Sequence, residues 1–229
     1  MKPNNNQNDK RLLAGVTGVI LAGGYSSRMG SNKALLPYKG GRFIEAIHRQ
    51  LAGLFPEVLL VTNTPEQYSF LPCRKVADLY PGMGALAGLH AGLLGSSGSH
   101  IFAVACDMPY LNSELIRCLS ALRSDADVVI PQGDKGMEPL HALYARECLV
   151  PMEQSLRNGK RRIVSFFPQV RIRSLSRDLV AMHDPDFVSF RNINTPSDYF
   201  ELRDAERNQE SPAYSSISDD GMRRMRLRR

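Results

Sequence analysis

Between residues 15 and 205, continuous apolar runs alternate with segments whose apolar positions recur at helical spacing. "GVTGVILA" (15–22) is apolar without alternation and runs into paired glycines, the pattern of a strand buried on both faces. "RFIEAIHRQLAGL" (42–54) puts Phe43, Ile44, Ile47, Leu51 and Leu54 at helical spacing. "EVLLVTN" (57–63) predicts a second strand. "GALAGLHAGLLG" (84–95) predicts a helix of small residues able to pack close to a sheet, and "HIFAVACD" (100–107) a third strand. "NSELIRCLSAL" (112–122) predicts a helix capped by Asn112 or Ser113, and "ADVVIPQ" (126–132) a fourth strand. "HALYARECLVPMEQSL" (141–156) starts like a strand and continues as a helix, and "FVSFRNIN" (187–194) reads as one more strand. "TPSDYFELRDAE" (195–206) reads as a helix with Thr195 at the cap, Pro196 at the first helical position and Asp198 near the positive end of the dipole. Strands in alternation with helices imply an α/β fold, Rossmann-like, with three α/β/α layers on a mostly parallel sheet. Residues 1–14 and 206–229 lack such a pattern and are expected to be flexible tails around a 15–205 domain.

Composition changes this picture little. The net charge of +6 over 229 residues falls to +1 once the five arginines of "GMRRMRLRR" (221–229) are set aside. The body of the chain is therefore not that of a nucleic-acid-binding protein, and the basic tail is expected to be a solvated end. Cys73, Cys106, Cys118 and Cys148 show no CxxC spacing and no metal-ligand pairing with histidine, so reduced thiols are expected. No apolar run approaches the roughly 20 residues of a membrane span, and "MKPNNNQNDKRLLAG" has no long apolar stretch; the expectation is a cytoplasmic protein with no membrane partner.

The candidate chemistry falls where the predicted strands end, which is where ligands of open parallel sheets bind. "LAGGYSSRMG" follows the first, "TNTPEQY" the second, "CDMPY" the third and "NINTPSD" the last. The first of these is neither a P-loop, being a residue too long between Gly24 and Gly30, nor a GxGxxG dinucleotide loop. Its glycines still let a backbone aim N–H groups at a ligand, Arg28 and Lys33 add charge, and no acid lies between Gly18 and Pro37. That set suits a polyphosphate. "PGMGALAG" (81–88) is a second glycine-rich turn, for which close helix packing is an equally good reading. Asp107 ends an apolar strand, where a carboxylate is costly without a role; Mg²⁺, which needs only one or two carboxylates beside phosphate and water, gives it one. Asp78 in "VADLYPG" and Asn63 suit either nucleotide contacts or plain turns. None of the five histidines stands in a nucleophile frame, and His141 is assigned an ordinary core role.

"LAGGYSSRMGSNK", "CDMPYL", "EPLHALY", "NGKRRI" and "NINTPSDY" occur in this order, and together they resemble the nucleotidyltransferases of the nucleotide-diphospho-sugar transferase fold. Within these, the chain is most similar to the molybdenum cofactor guanylyltransferases, over Gly15 to Ala205. The resemblance implies transfer of GMP from GTP to molybdopterin with Mg²⁺ and release of pyrophosphate. It implies nucleotide contacts from Leu21, Ala22, Gly23, Lys33, Asn63, Asp78 and Asp107, a metal on Asp107, and catalytic roles for Arg28, Lys33 and Asp107. Asn192 and Asn194 would lie on the pterin side. Implied partners are cofactor-biosynthesis proteins and acceptor molybdoenzymes. "LAGG" rather than "LAAG" favours guanine, whereas "PGMGALAG" departs from the family's usual "PGPLAG". The alternatives are a cytidylyl- or sugar-phosphate nucleotidyltransferase on the same fold and a non-catalytic GTP-binding regulator.

Overall fold

In the computed structural model, which describes residues 11–23 and 32–210, the first apolar run forms β1 (Val16–Leu21), every residue of it buried. After it come β2 (Pro37–Tyr38), β3 (Gly41–Arg42), α1 (Phe43–Ala52), β4 (Glu57–Val61), β5 (Arg74–Val76), α2 (Ala85–Gly95) and β6 (His100–Ala105). The chain continues through α3 (Ser113–Ala121), β7 (Val128–Gly133), β8 (Gly136–Met137), β9 (His141–Ala145), α4 (Leu149–Arg157), β10 (Ile172–Leu175), α5 (Arg177–Ala181) and α6 (Pro196–Glu210). The main sheet runs β10-β7-β9-β6-β1-β4-β5, with β8 beside β7. Its pairs are parallel except around β9, which is antiparallel to both β6 and β7, and at β8, which is antiparallel to β7.

Alternate strand residues feed two separate apolar clusters, which is why β1 and β6 carry unbroken apolar runs. Val16, Ile20, Phe102 and Val104 pack with Ile44, Ile47 and Leu51 of α1, Leu115 and Leu119 of α3 and Val180 of α5. Val19, Leu21, Ile101 and Ala103 pack on the opposite face with Leu86, Leu89 and Leu93 of α2 and Met152 and Leu156 of α4. The expected three-layer α/β/α architecture is observed. The small residues of α2 serve close approach: a Cβ on Gly92 would come within 2.6 Å of Val19 Cγ1. Gly84 instead precedes the helix at φ 73°, a conformation that favours glycine. The α3 cap is Asn112, whose Oδ1 accepts from the amides of Glu114 (2.9 Å) and Leu115 (3.0 Å).

One expected strand is absent. Residues 187–194 hold a 3-10 turn at Val188–Phe190 instead of a strand, entered by Phe187 at φ 51°. The cause is local. The buried Asp184 carboxylate accepts from the amides of Val188 (3.1 Å) and Ser189 (2.8 Å), taking donors that a sheet ladder would need. "NINTPSD" therefore follows a turn, not a strand. The short strands β5 and β10, rich in exposed and charged positions, were not anticipated from the pattern.

The chain divides in sequence between Asn192 and Ile193 into two compact units. In the second, α6 begins as expected: the Asp198 amide donates to Thr195 Oγ1 (3.2 Å), and Asp198 Oδ2 accepts from the amides of Asn194 and Thr195 (2.8 Å each). The helix passes residue 205 and reaches Glu210. No helix among the described residues is long and apolar enough to cross a membrane.

The edge opposite the strand ends is fixed by Glu57. Its carboxylate accepts from Thr17 Oγ1 (2.8 Å), the Ser97 amide (2.8 Å), Ser97 Oγ (2.7 Å) and Arg74 Nη2 (3.0 Å). Burial alone would raise its pKa, but the Ser97, Arg74 and Thr17 donors together outweigh that and hold the carboxyl at about 2. A depressed carboxylate stabilises the fold above the unfolded value near 4.5, and that contribution is lost as pH falls towards about 2. Glu57→Gln is expected to lower stability at pH 7 by about 1–2 kcal/mol, after allowance for solvent screening. Urea unfolding should show the gap between the two proteins closing as pH drops below about 4.5; a gap independent of pH would contradict this assignment.

Candidate active site at the strand ends

Four parallel strands finish level with one another. Leu21 pairs with Val61 on one side and Ala105 on the other, and Val61 pairs with Val76. The ladder continues one residue further: the Ala22 amide donates to Val61 O (2.9 Å), the Cys106 amide to Leu21 O (3.1 Å) and the Thr62 amide to Val76 O (2.9 Å). Consequently Ala22 and Gly23, Asn63, Asp78 and Asp107 all leave the sheet along a single rim. The position of Asp78 depends on β5, the strand that the pattern did not reveal.

Asn63 and Asp78 are bound reciprocally across that rim. Asn63 Nδ2 donates to Asp78 Oδ2 (3.1 Å), and the Asp78 amide donates to Asn63 Oδ1 (3.0 Å). The Tyr80 amide donates to Asp78 Oδ1 (2.9 Å). Each carboxylate oxygen thus has one donor and retains capacity for another. Gly23 is exposed, and a Cβ there would meet nothing within 4 Å among the described residues, so packing does not demand the glycine.

Lys33 opens a 3-10 turn (Lys33–Leu35) that Asn32 caps, its Oδ1 accepting the Ala34 amide at 3.2 Å. Asn32 Nδ2 also donates to Tyr68 Oη (2.9 Å) and Gln67 Oε1 (3.1 Å), which anchors the half-buried Lys33 to the segment after β4. This anchoring was missed in the sequence reading, although an Asn just before a short helical turn is a cap signal. Asp107 is half-buried, and its Oδ1 is fully buried with no hydrogen-bond partner among the described residues. Burial pushes its carboxyl above the usual range, while the Lys33 charge and a backbone hydrogen bond pull partly back. A buried carboxylate oxygen without a hydrogen-bond partner is costly unless a ligand completes it. Among the described residues no group of three or more His, Cys, Asp or Glu is placed to hold a metal.

Arg28 lies outside the described residues. Asn192 closes the first unit and Asn194 lies in the second; both are exposed. His141 is fully buried, edge-on to Phe102 (5.0 Å) and Phe190 (5.2 Å), as its core assignment requires. A cleft of about 430 Å³ on the outer side of α1, lined by Glu45, His48, Arg49 and Leu71, contains none of the rim residues.

Comparison with known proteins establishes the family. Residues 18–172 match the MobA-like NTP transferase domain. A molybdenum cofactor guanylyltransferase of Desulfosudis oleivorans is 38% identical over 182 residues, covering 79% of this chain and 90% of the relative. The chain belongs to the molybdenum cofactor guanylyltransferase family. A second relative, from Pelotomaculum thermopropionicum, is 41% identical over 192 residues, 82% of this chain and 91% of its own. Among solved structures, molybdopterin-guanine dinucleotide biosynthesis protein A from Archaeoglobus fulgidus superposes with a TM-score of 0.73 at 25% identity, over 84% of this chain and 99% of that one. The family match begins at Gly18, inside β1, and ends at Ile172, the first residue of β10, so this guanylyltransferase-family domain contains the whole strand-end rim. Membership makes the chain a nucleotidyltransferase with the mostly parallel α/β fold expected of one.

Proposed function

We propose that this chain transfers GMP from GTP to the terminal phosphate of molybdopterin, releasing pyrophosphate, and so makes the guanine dinucleotide form of the molybdenum cofactor. The observation that carries the reading is the buried Asp107 Oδ1, unpartnered among the described residues and within electrostatic reach of Lys33, on the same rim as the Asn63–Asp78 pair. The relatives named for this activity cover most of the chain.

An acceptor phosphate oxygen bonds to the α-phosphorus of GTP as the bond to the bridging oxygen breaks, and pyrophosphate departs with the electron pair. No covalent bond to the protein is needed, so the chain works by placement and charge. The backbone at Leu21–Gly23 approaches the nucleotide, Lys33 and Arg28 offset charge on the phosphates, and Asp78 accepts from the guanine edge, where N1–H and the exocyclic amine are adjacent donors. A strand-end carboxylate with an uncommitted lone pair fits Mg²⁺; Asp107 would hold the ion, which would supply positive charge to offset the charge that develops on the phosphates. Asn192 and Asn194 are assigned to the pterin side. The setting is the cytoplasm, with cofactor-biosynthesis proteins and acceptor molybdoenzymes as partners.

The test is pyrophosphate release with GTP, CTP or ATP, with and without molybdopterin. Release is expected to need molybdopterin and to be far faster with GTP than with CTP or ATP. Equal turnover of CTP, or tight GTP binding with no release, would refute the proposal.

A further inference from the structure

Tyr80 lies two residues beyond Asp78 and ties the same loop to a different layer element. Its amide donates to Asp78 Oδ1 (2.9 Å), and its hydroxyl donates to Glu153 Oε1 on α4 (3.1 Å). The Tyr80 ring stands edge-on to buried His90 of α2, with 5.6 Å between ring centroids at 78°. Arg157, one turn further along α4, donates to the same Glu153 oxygen at 2.8 Å and keeps that carboxylate ionised and in place. The next residues, Pro81–Gly84, include Gly82 and Gly84 at φ 77° and 73°. Two such glycines allow the loop many courses, so its course depends on what holds its ends. The carboxyl-terminal end is held by α2. The amino-terminal end, which carries Asp78, is held by Asn63 and by Tyr80.

We propose that the Tyr80–Glu153 hydrogen bond is a positioning contact that fixes the Asp78 carboxylate for guanine and so sets the preference for GTP over CTP. This rests on Asp78 being the acceptor for the base. Adjacent donor recognition by a carboxylate needs placement to within about half an ångström. Discrimination follows because cytosine offers one donor, its exocyclic amine, and turns the N3 acceptor towards the other carboxylate oxygen, where guanine offers two adjacent donors. Asn63 constrains one oxygen; the loop beyond Asp78 must be fixed from the other side, and α4 is the rigid element that Tyr80 reaches.

The experiment measures steady-state transfer to molybdopterin from GTP and from CTP for Tyr80→Phe, Glu153→Ala, Glu153→Gln and the Tyr80→Phe/Glu153→Ala pair. Loss of one hydrogen bond predicts that Tyr80→Phe and Glu153→Ala raise KM for GTP about fivefold, with kcat changed less than about twofold. The GTP/CTP ratio of kcat/KM should narrow to match. Glu153→Gln keeps an acceptor oxygen and should behave as wild type, and the double variant should be no worse than either single one. Unchanged KM and an unchanged nucleotide ratio, even alongside a lower Tm, would make the bond merely structural and overturn the inference. Asp78→Asn separates the two levels: if it retains full GTP preference, the assignment of Asp78 to the base fails, whatever Tyr80 does.

Discussion

Asp107→Asn and Lys33→Ala should each slow guanylyl transfer by about 10²–10³-fold while the protein stays folded. The magnitude is that of removing one charged contact that acts on charge developing in the transition state, about 3–4 kcal/mol. The expectation for folding has the opposite sign from the usual one. Asp107 Oδ1 is buried and unpartnered among the described residues, and burial already penalises its charge. Replacing the carboxylate by an isosteric amide removes that penalty, so Asp107→Asn should melt no lower than wild type, and higher if the strain is relieved. A group that weakens the fold is best explained by what it does for the substrate. Thermal melting and pyrophosphate release measured on one preparation decide the matter. A variant that turns over within about threefold of wild type, or that unfolds before it loses activity, removes Asp107 from the site.

His141 should make the fold lose stability steeply in mild acid. Its imidazole is fully buried between Phe102 and Phe190, and neither ring nitrogen has a hydrogen-bond partner among the described residues. Burial drives its pKa from 6.5 down to about 4, with the Asp184 charge pulling weakly the other way. As pH falls below about 6.5 the unfolded chain takes up a proton that the folded chain refuses until about 4. Folding stability therefore declines across that window, by up to about 3 kcal/mol at 1.36 kcal/mol per pH unit. His141→Leu, similar in volume, should remove the His141 share of that slope, leaving the shares of His48, His90 and His100, which burial also lowers, and leave stability at pH 7.5 equal or higher, because it deletes two polar atoms unsatisfied among the described residues. Urea titrations between pH 7.5 and 4.5 read the slope directly. The Glu57 contribution does not interfere, since it is lost only below about 4.5. Parallel pH profiles for the two proteins would show that another group governs acid sensitivity.

Much of the site was legible in the chain because its residues break local expectations. Asp107 ends an apolar run, and Lys33 follows a glycine loop without acids. The environment of Asp78 was less legible. Its register comes from β5, three residues long with charged Arg74 and Lys75, too short and polar to declare itself as a strand. The strand expected at 187–194 failed for a related reason. Its apolar content is real, but the Asp184 carboxylate, upstream of the window, captures two of its amides.

The layers, and the residues proposed for the chemistry, can be read from the chain alone. Unbroken apolar runs require burial on both faces, helical spacing supplies the covering layers, and the odd polar residues fall where those runs stop. Strand pairing, by contrast, is what makes Leu21, Val61, Val76 and Ala105 finish level and so brings Gly23, Asn63, Asp78 and Asp107 onto one rim. Register depends on hydrogen bonds between strands far apart in the chain, and a local pattern of apolar and polar residues carries no information about which long-range partner aligns with which residue.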